Sequence, residues 1–112
     1  MAAPEPIVND AYELLKYLII VLKKMPRDQK FLLGDRIQQQ ASDVLELLIE
    51  AIYTQKQLKK PLLLKVNITL EKLRHFVRLG YELGYYPSTR YQHIAKQIDK
   101  IGKQVGGWLK AL

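Results

Sequence analysis

Cysteine is missing altogether from the 112 residues. That removes disulfide frameworks, thiolate nucleophiles and cysteine-based zinc sites, and makes a reducing cytoplasm the expected compartment. Long apolar runs are missing too. The longest, from Leu18 to Leu22, falls far short of the roughly 20 residues of a membrane-spanning helix. The opening MAAPEPIVND has no basic segment ahead of an apolar one, so no signal peptide is read there and no membrane partner is expected. No segment alternates with period two, which leaves strands without support. A Gly-rich phosphate loop between strand and helix is likewise absent: Gly106 and Gly107 adjoin inside a helical pattern, where close helix contact beside Trp108 is their expected role. Neither His75 nor His93 follows a glutamate by three residues, so the paired Glu-x-x-His motifs of a carboxylate-bridged di-metal bundle are not there. No enzyme, cofactor, metal or small-molecule substrate is expected. Acid is the scarcer charge, 11 residues against 18 Lys and Arg for a net +7. Such a balance biases a small protein toward polyanions.

What is present is helical periodicity. From Met25 to Tyr53 one long helix is predicted, with Pro26 at its first position. Gly34, Ile37, Ala41, Val44, Leu48 and Ala51 form a 3-4-3-4-3 seam, and Asp43, Glu46 and Glu50 make an acidic stripe on the other side. Residues 1–8, with two prolines, read as a flexible lead-in to a single domain at 9–112. The first helix is expected to start at Asn9 or Asp10 and to end at Lys24 or Met25. Its inward face is Ala11, Leu15, Leu18, Leu22 and Met25, with Tyr17, Ile20 and Val21 directed away. A helix apolar nearly all round is usually covered on a second side, so these three are the candidate oligomer interface, with ordinary surface hydrophobics as the alternative.

Residues 54–60 (TQKQLKK) read as a polar, basic connection, and Pro61 as loop or first turn of a third helix reaching about Leu83. Its seam is Leu63, Val66, Leu70, Leu73, Val77 and Gly80, and Gly84 is the expected stop. Ser88 is the candidate N-cap of the last helix, whose seam is Ile94, Ile98, Ile101, Val105 and Trp108. Tyr81, Tyr85, Tyr86 and Tyr91 flank the turn between them, where aromatic closure of the bundle end outweighs base stacking. The fold class is therefore all-α, an antiparallel up-down-up-down four-helix bundle.

Charge divides unevenly along the chain. Residues 1–57 carry seven basic and eight acidic side chains, whereas 58–112 carry eleven and three, a net of +8. Lys96, Lys100, Lys103 and Lys110 form one stripe opposite the last seam. On the third helix Arg74 and Arg78 share one flank, and Lys65 and Lys72 lie on the other. A solvated lysine face would explain a single helix. Two adjacent basic helices with little acid favour a phosphate-binding surface of low sequence specificity. The candidate residues are Lys65, Lys72, Arg74, Arg78, Arg90, Lys96, Lys100 and Lys103.

Three stretches also carry a resemblance: residues 12–53, with Met25-Pro26-Arg27, Gly34-Asp35-Arg36-Ile37 and Leu47-Leu48-Ile49-Glu50-Ala51; residues 70–86; and residues 91–112, with Gly106-Gly107-Trp108-Leu109. Over residues 11–112 the chain resembles the accessory variability determinant (Avd) family of diversity-generating retroelements. The wider superfamily includes proteins encoded in ribosomal RNA intervening sequences, which typically have Asn-Ile-Ala-Glu-Gly where this chain has Leu-Leu-Ile-Glu-Ala; that favours the retroelement branch. The resemblance implies a non-catalytic four-helix bundle, assembled as a basic homopentameric barrel, that associates with the retroelement's reverse transcriptase and binds RNA or DNA during mutagenic copying of a template RNA. An oligomeric helical scaffold for acidic protein partners is the alternative from a different class.

Overall fold

In the computed structural model, which describes residues 4–112, four helices pack as an antiparallel bundle. The first, α1, is Pro4–Leu22. The second, α2, runs through residues 27–53 as three end-to-end pieces, Arg27–Gln29, a π-helical turn Lys30–Gly34, and Asp35–Tyr53. Helices α3 and α4 are Lys56–Glu82 and Ser88–Ala111. Contacts join α1 to α2 and α4, and α3 to α2 and α4. The bundle measures 44 × 23 × 19 Å, a length set by the 27 residues of α3 at about 1.5 Å per residue. Antiparallel register is visible in side-chain pairs that bridge neighbours, Asp10 with Gln104 and Tyr17 with Arg90 between α1 and α4, and Arg74 with Asp99 between α3 and α4.

The seams of α2 and α3 are buried throughout, and on α4 Ile94, Ile98, Ile101 and Val105 are sealed from solvent while Trp108 is half-buried. Small residues Gly34, Ala41 and Ala51 are interspersed with larger ones along the α2 seam, which lets the neighbouring helices approach closely. Each sealed Ile or Leu contributes about 1.5–3 kcal/mol through the area it removes from water.

Helix α1 departs most from expectation. It starts at Pro4, not at Asn9 or Asp10, so the part of the expected lead-in at residues 4–8 is helical and Ile7 joins the core; residues 1–3 lie outside the described residues. Both prolines fall in the first turn, where a missing N–H costs nothing because those amides have no intrahelical acceptor. The helix ends at Leu22, earlier than Lys24 or Met25. Its inward face is Ile7, Ala11, Leu14, Leu18, Val21 and Leu22, and Met25 is buried in the link that follows. Leu14 takes the place given to Leu15, and Val21, only 5% exposed, belongs to the core and not to an outward face.

The ends of the other helices differ in detail. Pro26 precedes α2 in extended conformation, and its carbonyl accepts from the Gln29 and Lys30 amides. Residues 56–60 are helix, not connection, which leaves Thr54 and Gln55 as the link. Pro61 is accommodated inside α3, where the bond its nitrogen cannot donate is lost and its ring crowds the Gln57 carbonyl one turn back. In exchange the early start places Lys59 beneath the end of α2, where its Nζ donates to the carbonyls of Ala51 (2.6 Å) and Ile52 (3.1 Å) and stands 5.8 Å from the Trp108 ring centroid. As last-turn carbonyls both lack an i+4 amide, and Ala51 O otherwise accepts only a long bond from the Thr54 amide at 3.4 Å. Replacing Lys59 by Met should therefore cost about 1–2 kcal/mol, read as a lowered urea midpoint at unchanged helicity.

Ser88 is the first helical residue of α4 and does not cap it; Pro87 occupies the cap position. Among the described residues a Cβ placed on Gly106 or Gly107 would meet nothing within 4 Å, so these glycines serve no close helix contact within the chain.

Gly84 does end α3. With φ of +82° it sits in the left-handed region, its amide donates to Tyr81 O and that of Tyr85 donates to Gly80 O, both at about 3 Å, the paired reverse bonds of a Schellman motif. This turn delivers Tyr86 into the core, where its hydroxyl donates to the Val77 carbonyl at 2.5 Å. Tyr81 and Tyr91 stack with centroids 4.5 Å apart, so the tyrosines close this end of the bundle. Burial pushes the Tyr86 phenol well above its ordinary value near 10. Only the unfolded chain can then ionise it readily, so its contribution to stability is complete below about pH 10 and is lost as pH rises further. Thermal melts of the wild type and Tyr86→Phe should accordingly converge above pH 10.

Candidate nucleic-acid interface

Every carboxylate of the basic half is taken by an arginine. Arg74 bonds to Asp99 across to α4 and to Glu71 on its own helix (3.4 Å), and Arg78 bonds to Glu82 at 3.0 Å. The Asp99 and Glu82 bonds raise the guanidinium pKa values further above their ordinary range. Arg90 is half-buried, with its guanidinium 5.7 Å from the Tyr17 ring centroid and Nη1 3.3 Å from the Tyr17 hydroxyl. Lys100 leans onto Asp10 of α1 at 3.5 Å, and Gln104 Nε2 donates to the same carboxylate at 2.7 Å.

The remaining lysines fall into two groups. On α4, Lys96, Lys103 and Lys110 are exposed and lie within ion-pair distance of no carboxylate among the described residues. Their spacing keeps them directly opposite the Ile/Val seam. Lys110 also joins Lys56 and Lys60 of α3 around an open cleft of about 790 Å³ whose apolar lining is Leu64, Leu109 and Leu112.

Lys65 and Lys72 occupy the other flank of α3, facing α2. Lys65 shares a groove with Asp43, Glu46 and Glu50, so the acidic stripe of α2 surrounds it within the same chain. Lys72 lines an adjoining space with Arg36 and Phe76. The eight predicted residues thus do not form one field. Arg74 and Arg78 are neutralised, Arg90 and Lys100 are tied to α1, Lys65 is set among acids, Lys72 lines a space with Arg36 and Phe76, and Lys96 and Lys103 stand free on α4.

Lys56, Lys60 and Lys110 were outside the predicted set, although the basic run of residues 54–60 and the α4 stripe both pointed to them. Of the predicted interface residues Tyr17, Ile20 and Val21, Tyr17 packs on His93 (4.4 Å between centroids) and holds Arg90, Val21 is in the core, and Ile20 alone is directed outward. Among the described residues no three His, Asp or Glu side chains gather as a metal site, and no helix is long and apolar enough to cross a membrane.

Comparison with known proteins agrees with the fold and the sequence motifs. The family model described as bAvd-like matches residues 7–112. No curated protein matches the chain.

Proposed function

Because the chain belongs to the bAvd-like family, we propose that it is a non-catalytic accessory protein of a diversity-generating retroelement, binding nucleic acid and the reverse transcriptase to support mutagenic copying of a template RNA. The observation that carries this reading is the split of the positive charge. The carboxylates of residues 58–112 are consumed by Arg74 and Arg78, which leaves Lys96, Lys103 and Lys110 as an unneutralised stripe for phosphates. Lysines without neighbouring donors in a fixed fork bind phosphate as point charges, so affinity should be insensitive to base sequence. The leucine-lined cleft rimmed by Lys56, Lys60 and Lys110 suits an acidic, apolar segment of the polymerase. Self-association would use the apolar surface that the single chain leaves uncovered, including Ile20, Phe31 and Leu32.

Titration of RNA and DNA at several salt concentrations tests the reading. Affinity should fall with a log–log slope of about 0.9 per phosphate contact on duplex, and a slope near zero would sink the phosphate role. Because their carboxylates already compensate them, Arg74→Ala with Arg78→Ala should change affinity by no more than about fivefold, the equivalent of about 1 kcal/mol, the upper range for an exposed ion pair. The same titration addresses the scaffold alternative, which predicts binding to an acidic protein partner and none to either nucleic acid.

A further inference from the structure

Between α2 and α3 lies a groove of about 490 Å³ lined by Arg36, Gln39, Gln40, Asp43, Thr69, Lys72 and Phe76. Three details set it apart from an ordinary interhelical crease. Arg36 makes no ion pair among the described residues, although Asp35 adjoins it in sequence and Asp43 lines the same groove; its guanidinium is held instead over the Phe76 ring, 5.4 Å from the centroid. The Asp43 carboxylate accepts from Gln39 Nε2 at 2.9 Å. Gln40 is only 6% exposed, and its Oε1 has no hydrogen-bond partner among the described residues. A buried amide oxygen without a partner is costly, whereas leucine at the same position would be favourable.

An arginine plane resting on an aromatic face, amide groups beside it and a lysine at the rim are what an unpaired base needs: a stacking platform, hydrogen bonds for the base edge, and a countercharge for the adjoining phosphate. The geometry points to this groove as a site for one unpaired nucleobase of a single-stranded nucleic acid, stacked on the Arg36 guanidinium that Phe76 supports, its edge met by Gln39 and Gln40 and its phosphate by Lys72. A base inside a duplex cannot enter. Asp43 within the groove, with Glu46 and Glu50 beyond it around Lys65, repels a strand from that end, which confines the backbone to the Lys72 side. This inference rests on the nucleic-acid reading above and adds a preference for single strands that the α4 lysines alone would not supply.

Anisotropy titrations of single-stranded RNA, single-stranded DNA and a duplex of equal length, with wild type, Arg36→Gln and Gln40→Leu, test it. Both variants should weaken single-strand binding about tenfold, a stacked base being worth about 1–3 kcal/mol, and leave the duplex unchanged. Gln40→Leu should raise the melting temperature while doing so, which separates a lost contact from a damaged fold. An RNA-only effect would assign the site to RNA, and equal effects to either strand type. A 2-aminopurine in the single strand should be quenched on binding by wild type and less so by Arg36→Gln. Unchanged single-strand affinity in both variants, or equal weakening of strand and duplex, overturns the base site while the lysine stripe stands. Failure of wild type to bind any of the three overturns the parent reading and this one with it.

Discussion

Changing Lys96, Lys103 and Lys110 together to glutamate should lower affinity for duplex by on the order of a hundredfold at physiological salt and reduce the salt slope by about 2.7, three contacts at about 0.9 each. The three side chains lie on one line of α4 and have no carboxylate within ion-pair distance among the described residues, so each reversal acts on solvent and ligand and not on an internal bridge. Helicity and melting temperature should stay near wild type because none of the three packs in the core. Anisotropy between about 50 and 200 mM salt reads the effect directly. A variant that keeps the wild-type slope would remove α4 from the interface.

Gly80→Ala should destabilise the bundle by about 2–3 kcal/mol, lowering the melting temperature by about 10 °C for a domain of this size. A Cβ at Gly80 would lie on the Tyr86 hydroxyl and 2.8 Å from its Cζ, and the ring cannot withdraw without giving up its bond to Val77 O. Alanine's better helix propensity offsets only about 1 kcal/mol of this. Removing the hydroxyl relieves the nearest clash, so Gly80→Ala combined with Tyr86→Phe should be less unstable than the sum of the two single changes. Additive losses would show that the glycine and the tyrosine do not compete for the same space.

The α2, α3 and α4 seams were legible because each carries a narrow apolar stripe whose period admits one orientation. Helix α1 was harder for the opposite reason. With Leu14, Leu15, Leu18, Ile19, Ile20, Val21 and Leu22 so close together, several rotations bury a similar area, and only its neighbours decide that Leu14 and Val21 turn inward. Proline misled at both ends of the chain's first half: first-turn positions tolerate it, and α3 accommodates Pro61 while using Lys59 to close α2. The α4 lysine stripe followed from spacing alone. What spacing could not reveal was pairing across helices, such as Arg74 with Asp99 or Lys100 with Asp10, because each needs the register between two elements. The Arg36–Phe76 platform is of the same kind, its members 40 positions apart in the chain.

The π-helical turn at Lys30–Gly34 leaves Phe31 and Leu32 about two-thirds exposed while Leu33 and Gly34 are buried. Such a turn holds one residue more than α-helical winding would need, its bond running from the Asp35 amide to Lys30 O. Deleting a single residue from it would regularise the winding and leave everything beyond Asp35 in place, but would swing Pro26 to Gln29 by about 100° around the axis. The link from α1 would then enter from the wrong side. That one surplus residue works as an angular spacer, matching the phase of the second helix to the direction from which the first arrives.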